Sequence, residues 1–464
     1  MRPNKASIAL ALSLAISGTS QAGFFDKLFD FGQEGADSVV EGTTSVVKSF
    51  GDTIANSANF ITSRLTELKI KAQLGDDDSE YKLAVIYDTG NGVEVDKEKA
   101  FDLYEDAANG GIMLAQFALA QKYDKGEGVA QNNQKAFQRY LEAAEQGYAR
   151  AQYHAGVKYD SGLGTLEDNL LALEWYLKAA EQGHIEAQYS AGQLLLKSKG
   201  IEAYSVAAAK WLLAAAKQGH TNAQITMGSL YMNATGVDHN LDEALAWFTK
   251  ANDQQGVIVT QYKIALSLSG IDDKKAFEWH LKAAEKGHTE AQNSVANMYD
   301  TGTGVALDHF NAIEWYAEAG NSEGVTQSQN NLAKFYADRG EFESAIVWYE
   351  KSDNQDGITA SKNSFGEALT ARGEFESAII WYEKSGNQDG IITAQISIAK
   401  SLLGEDDDQA LAWFMEAKDT AGVLEYANSQ LGVDNYKALQ WFAQVNNQDG
   451  IITAQISIAK SLLG

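Results

Sequence analysis

The chain has no cysteine, few basic residues and only one apolar run of any length. Without cysteine there is no disulfide, no cysteine-ligated zinc, no thiol nucleophile and no lipid-modified N-terminal cysteine. Lysine and arginine number 37 against 63 aspartates and glutamates, a net charge of −26. That balance argues against nucleic acid, whose phosphates require a basic face. It admits a basic protein or a cationic ligand as partner, and it equally describes a solvated surface that keeps a chain soluble. The one apolar run, Ala6 to Ile16, is too short to span a bilayer comfortably.

Catalytic and metal-binding motifs are missing as well. There is no His-Glu-x-x-His and no EF-hand loop. Asp76-Asp-Asp78 and Glu405-Asp-Asp-Asp408 lack the alternating spacing and glycine of a calcium site, and read as polar turns. Ser-x-x-Lys occurs at Ser45, Ser79, Ser397 and Ser457, and Ser352-Asp353-Asn354 once, but Lys-Thr-Gly is absent. Short patterns of this kind arise by chance in a helical chain rich in Ser and Lys. The Gly-x-Gly turns lack the strand context of a nucleotide site. The seven histidines do not converge, and His184, His220 and His288 occupy one repeated slot. Successive slots lie about 10 Å apart on helix-packing distances, too far to share a metal. No cofactor, no metal site and no catalytic residue is assigned.

What the chain does have is a repeating block. Ala172-Leu-Glu-Trp175-Tyr-Leu-Lys-Ala-Ala-Glu-Gln-Gly183-His184 has near-copies on both sides, and the pair Ala-Gln returns at 115, 151, 187 and 223, each 36 residues apart. A fixed period in this range marks stacked supersecondary units. One unit cannot bury its apolar face alone, so neighbours must stack.

Each unit from about residue 79 reads as two helices. Helix A carries the Ala-Gln pair and ends near a tyrosine. A glycine turn follows, at Gly90-Asn-Gly92, Gly126-Glu-Gly128, Gly162-Leu-Gly164 and Gly302-Thr-Gly304. Helix B then starts at a capping residue: Asp96, Asn132, Asp168, Asn240, Asp272 and Asp308 each stand four residues before a recurring alanine. Their side-chain oxygens suit the free first-turn amides. All nine tryptophans, from Trp175 to Trp441, share one slot three residues after that alanine. They are expected to be buried structural anchors. Tryptophan spacing runs 36, 36, 32, 36, 33, 33, 32 and 28, so the units shorten along the chain. Asn387 to Gly404 recurs residue for residue as Asn447 to Gly464, a sign of duplication. The second copy is expected to leave Ile451, Ile452, Ile456, Ile458, Leu462 and Leu463 uncovered on one side, inviting weak self-association or capture of a partner.

Residues 1–22 read as a secretory signal. Arg2 and Lys5 precede the apolar run, and Ser20-Gln21-Ala22 places small residues at a cleavage site, giving a mature chain from Gly23. The expected location is therefore outside the cytoplasm, in a bacterial periplasm or beyond. Residues 23–74 precede the clear repeats. Val39, Val46, Val47, Phe50, Ile54, Ile61, Leu65 and Leu68 fall mostly at helical spacing, and Phe24, Phe25, Leu28, Phe29 and Phe31 form a separate cluster. This segment is read as a helix capping the first repeat, with a membrane-surface or partner helix as the other reading.

These residues resemble the Sel-one-like repeat family, a relative of the tetratricopeptide repeat. The resemblance rests on Ala276-Phe-Glu-Trp279-His-Leu-Lys-Ala-Ala-Glu-Lys-Gly287 and Gly302-Thr-Gly-Val305, and it covers roughly residues 79 to 464. Residues 75–326 look like the Sel-one-like array, 327–404 more like ordinary tetratricopeptide units, and 405–464 like degenerate repeats. The resemblance implies an all-α, right-handed α/α superhelical solenoid of about ten to eleven helix-turn-helix repeats. It implies a non-enzymatic scaffold or adaptor for protein or peptide partners, the alternatives being a tethered cell-envelope assembly factor and a hydrolase hidden in the array. Helix A lines the concave side of such stacks. The slot two residues after the alanine of the Ala-Gln pair holds Phe117, Tyr153 and Tyr189. With Arg150, Val157, Glu186 and Gln193 beside them, these are the candidate partner-binding residues, packing between helices being the other reading of the rings.

Overall fold

The computed structural model describes residues 63–197 and 202–463. The expected signal segment and the aromatic cluster from Phe24 to Phe31 lie outside them. The chain divides into two compact units, Met1–Lys199 and Gly200–Gly464. Each is a stack of antiparallel helix pairs, and no strand occurs among the described residues.

The first unit contains α1 (Asp77–Thr89), α2 (Lys97–Asn109), α3 (Met113–Lys125), α4 (Asn133–Glu145), α5 (Ala149–Ser161), α6 (Asn169–Glu181) and α7 (Ile185–Lys197). Odd-numbered helices are helix A and even-numbered ones helix B. A helical stretch over 63–73 precedes them, and its Ala72 and Leu65 join the same core as Leu83 and Tyr87. The second unit contains α8 (Glu202–Lys217), α9 (Thr221–Asn233), α10 (Leu241–Lys250), α11 (Gln254–Leu268), α12 (Asp273–Ala284), α13 (Thr289–Thr301), α14 (His309–Glu318) and α15 (Ser322–Asp338). It continues through α16 (Phe342–Lys351), α17 (Gln355–Ala371), α18 (Phe375–Ser385), α19 (Gln388–Leu402), α20 (Asp407–Glu416), α21 (Thr420–Gln430), α22 (Asn435–Gln444) and α23 (Gln448–Leu462). The expected change of repeat type at residue 327 falls inside α15, so it is not a break between elements.

The caps are where the sequence places them. Asp96, Asn132, Asp168, Asn240, Asp272 and Asp308 each accept a backbone N–H from the first turn of a helix B. Gly90, Gly126, Gly162 and Gly302 close their A helices in the left-handed conformation. Ala234 takes that role after α9 at φ 54°, a strained choice for a residue with a Cβ. The second turn glycine lies against the previous repeat. A Cβ on Gly164 would stand 2.1 Å from the Asn133 carbonyl oxygen, so the A–B turn fixes the distance between neighbours.

The tryptophan slot is less buried than its pattern suggests. Only Trp441 is fully buried; the other eight are half-exposed. Lys178, Lys282, Lys351 and Lys384, one turn on, lay their ammonium groups over the rings of Trp175, Trp279, Trp348 and Trp381 at 3.6–4.1 Å. The core position is the next residue. Tyr104, Tyr140, Tyr176, Leu212, Phe248, His280, Tyr382, Phe414 and Phe442 are all buried there. The recurring alanine beside them has no exposed surface at all in any repeat from Ala100 to Ala438.

Two polar ladders tie neighbouring repeats of the first unit. The Ala-Gln glutamine donates to the last turn of the preceding helix B, as Gln116 to Ala108 O at 3.4 Å and Gln152 to Ala144 O at 3.2 Å. Its oxygen accepts from the next repeat, Gln146 to Gln116 at 2.8 Å and Gln182 to Gln152 at 2.7 Å. The second ladder is charged. Lys122, buried on α3, reaches back to Asp88 at 2.5 Å, and Lys158 on α5 reaches Asp124. Burial works against the charged Asp88, but the Lys122 and Lys97 ammonium groups outweigh it and hold the carboxyl below its usual range.

The histidine slot is a cap. His184, His220 and His288 each accept, at Nδ1, the N–H of the alanine three residues on, at 3.1–3.3 Å. An Nδ1 that accepts carries no hydrogen, which leaves Nε2 as the donor of the ring.

Two outcomes are expected. First, Phe248→Ala should destabilise its region by about 3–5 kcal/mol, as for deletion of a buried ring. Trp247→Ala should cost about 1–2 kcal/mol, as for a half-buried one. Hydrogen exchange over α9–α11 would resolve this, and a larger loss for Trp247→Ala would contradict it. Second, stability should fall in mild acid. Burial pushes His154 down to about 4, against Tyr140 at 4.7 Å, and burial also lowers His184 and His280. An unfolded imidazole titrates near 6.5. The unfolded chain therefore takes up protons first, and stability present above 6.5 is lost as pH falls toward 4. His154→Phe keeps the stacked ring and should flatten the melting temperature against pH in that window. An unchanged slope would remove His154 as its source.

Candidate partner-binding face

The first unit uses its ring ladder for packing. Phe117 is buried, with Tyr148, His154 and Tyr140 at 5.0, 5.6 and 5.7 Å. It is closed to a ligand. Tyr153 is half-buried, stacked on His184 at 4.8 Å and against Tyr176 at 5.8 Å. Val157 packs in the cluster of Ala172 and Tyr176. Tyr189 and Gln193 on α7 are half-buried. Arg150 and Glu186 are exposed, one repeat apart, and both act on the His184 imidazole through their charge. Of the seven residues, the structure presents Arg150 and Glu186 to solvent, half-covers four and buries Phe117.

A more open polar cleft lies on the A helices of the second unit. Two adjoining cavities of about 580 and 320 Å³ share Glu323, Gln327 and Asn331. The larger is completed by Thr326, Asn330 and Asn354, the smaller by Asn297, Asp300, Thr301, Tyr316, Asn321 and Gly324. α13 and α15 supply most of this surface, and Asn354, the N-cap of α17, closes one end. No lysine or arginine lines either cavity.

The cleft is preorganised. Asp300 is the counterpart of Asp88 and Asp124, at the end of a helix A. Where those carboxylates receive Lys122 and Lys158, Asp300 accepts Ser328 at 3.0 Å and Asn331 at 2.8 Å, and meets His309 at 2.6 Å. Asn330 accepts Ser352 at 2.9 Å and Asn354 at 2.7 Å. Asn321 donates to Asn293 at 2.6 Å. These bonds hold a row of carboxamides on the cleft wall, with Glu323 exposed at its rim. Carboxamides both donate and accept, as a peptide backbone requires. The carboxylates add a preference for positive charge.

Sequence reasoning passed over these residues. The available signal was the replacement of the lysine two residues before the terminal Asp of helix A. Lys122 and Lys158 occupy that slot on the helices that follow Asp88 and Asp124, whereas α15, the helix A that follows Asp300, carries Tyr336 there beside Phe335, and asparagines 293, 297, 330 and 331 accumulate nearby. Among the described residues, no group of histidine, aspartate and glutamate is placed to hold a metal, and no helix is long and apolar enough to cross a membrane.

The Sel1 repeat motif matches at residues 77–112, 114–148, 149–184, 185–220, 221–255, 261–288, 289–322 and 370–390, more than half of the chain. A tetratricopeptide repeat matches at 325–352. No curated protein matches the chain. Among solved structures, a protective antigen present in uropathogenic Escherichia coli strains, displaying an SLR fold, is 28% identical, over 85% of this chain and 90% of that one, with a TM-score of 0.39. A Sel1 repeat protein from Oxalobacter formigenes is 26% identical over 53% of this chain and 85% of its own, with a TM-score of 0.36. Because the Sel1 repeat motif matches eight times, over more than half of its length, the chain belongs to the Sel1 repeat family.

Proposed function

We propose that this protein is an exported, non-enzymatic scaffold that binds an extended, basic segment of a partner protein in the cleft between α13 and α17. Sel1 and tetratricopeptide repeats act in general as protein-interaction scaffolds. The observation that carries the finer reading is the cleft itself: carboxamides and carboxylates with no basic residue among its lining. An incoming lysine or arginine would stand where Lys122 and Lys158 stand in the first unit, facing a fixed carboxylate across a polar wall. Export rests on the Arg2–Ala22 segment.

Two measurements test this. Arrayed ten-residue peptides rich in lysine and arginine should bind the chain from Gly23 onward, more weakly as salt rises. Glu323→Lys with Gln327→Ala should lower affinity by about tenfold, roughly 1.4 kcal/mol, with helical content unchanged. Glu186→Lys, in the other unit, should leave that affinity alone. Equal binding by the cleft variant would refute the site. For export, protein purified from its native cell should begin at Gly23, and retention of Met1 would refute it.

A further inference from the structure

Two slots of helix A change together across α13, α15 and α17. Nine residues after each N-cap, His288, Asn321 and Asn354, stands an asparagine: Asn297, Asn330 and Asn363. Two residues after the same caps stand Glu290, Glu323 and Asp356, and Asp389 follows on α19. Each series repeats every 33 residues. Residues seven apart share a helix face two turns apart, so the acids form one rail and the amides another, about 10 Å along the helices. All four acids are exposed. The same slots hold Arg150 and Val157 on α5, and Glu186 and Gln193 on α7, so the first unit keeps the register without the chemistry.

The hydrogen bonds of the amide rail decide what it offers. Asn330 Oδ1 accepts Ser352 Oγ at 2.9 Å and Asn354 Nδ2 at 2.7 Å, and Asn363 Oδ1 accepts Ser385 Oγ at 2.6 Å. One N–H of Asn330 goes to the Thr326 carbonyl oxygen at 3.0 Å. With their oxygens engaged, these carboxamides offer N–H, and a ligand meets them with carbonyl oxygens. Successive A helices touch, as the bond from Asn331 to Asp300 at 2.8 Å shows, which sets the rungs about 8–10 Å apart. The carbonyls of a β-strand return to one side every second residue, about 6.7 Å. Those of a polyproline II helix return every third residue, about 9.3 Å, and none is used internally. Only the second period matches the rungs. We propose that the partner segment crosses α13, α15 and α17 as a polyproline II helix, with a basic residue at every third position turned toward the acidic rail. The proposal rests on binding of a basic segment in the α13–α17 cleft, and adds to it the conformation and sequence period of that segment.

The probes are two fluorescent peptides of one composition, titrated into the whole chain from Gly23. One repeats Pro-Ala-Lys four times; the other carries the same residues with its lysines contiguous. The regular peptide should bind about tenfold more tightly, because its backbone is already in the bound form. Asn297→Ala with Asn363→Ala removes the two outer rungs, and should bring the regular peptide down about tenfold, to the level of its isomer, at about a hydrogen bond per rung. Circular dichroism should show the variant as helical as the parent, because Asn297 is exposed and Ser385 keeps the Tyr382 carbonyl oxygen at 2.8 Å. Asn297→Ala alone should lower affinity about threefold, which keeps the test if the double variant loosens. Equal binding of the two peptides by the parent chain would overturn the three-residue period and leave the basic segment standing. A preference that survives loss of the rungs would overturn their role. Binding of neither peptide would overturn both this inference and the cleft itself.

Discussion

An aromatic ring seated on a glycine sets the spacing of this fold. Tyr176 lies over Gly156, Phe248 over Gly228 and Gly256, Tyr316 over Gly324, Tyr349 over Gly357 and Tyr382 over Gly366 and Gly390. Phe414 and Phe442 lie over Gly422 and Gly450. A Cβ at any of these glycines would come within 2.2–2.8 Å of ring carbons. The ring fills the gap that the small residue opens, which is how helices approach closely at high packing density. In the early repeats the glycine sits on helix A of the same repeat. In the later ones it sits in the first turn of the next helix A, three residues after the capping Asn or Asp. There the glycine amide is also the donor to the cap, so one residue fixes both the start of the helix and its distance from the last.

The polar ladders follow from that spacing. Lys122 and Lys158 reach Asp88 and Asp124 only because successive A helices stand at a constant offset. A buried ion pair is weak support for stability, since desolvation opposes the attraction. Its consequence here is register: a slip by one residue would strand both charges. The second unit keeps the idea and changes the chemistry. Asp300 takes hydroxyl, amide and imidazole partners, and Asn330 and Asn363 accept Ser352 and Ser385. No lysine is among these partners. That is why the A-helix surface of the second unit, and not the first, offers a cleft lined by oxygen and amide groups.

The caps and turns were legible because each depends on residues a few positions away, and the repeat aligned them six times. The burial of the tryptophans was misread for a related reason. A periodic aromatic slot looks like an anchor, and periodicity alone does not separate a half-buried ring from the buried ring beside it. Four lysines lying over tryptophan faces were the missed sign, visible as Lys178, Lys282, Lys351 and Lys384 three residues after each Trp. The histidine slot was seen as a position without a role, because a side chain accepting an amide three residues on is a matter of rotamer. The cleft was invisible because it is assembled from α13, α15 and the start of α17, whose juxtaposition exists only in the fold. His280 shows the same limit at one residue. It replaces the tyrosine of its slot, yet α11 ends without the aspartate that such a tyrosine would meet, and its buried Nδ1 is left unpaired.

Recognition in a repeat protein has to come from where repeats depart from one another. Residues that return from unit to unit are consumed in holding the units together, as the buried alanines and the Ala-Gln glutamines show. The departures here are of three kinds. A slot changes chemistry, as when lysine gives way around Asp300. A turn changes polarity: Leu163, Leu166 and Leu170 stand largely exposed where the repeat before carries Glu127, Ala130 and Gln134. Or an identical segment changes neighbours, as α19 and α23 do. The third kind separates sequence from surface altogether. Ala399 and Ala459 are the same residue in the same eighteen-residue context, one buried and one exposed, because burial belongs to the neighbours and not to the segment.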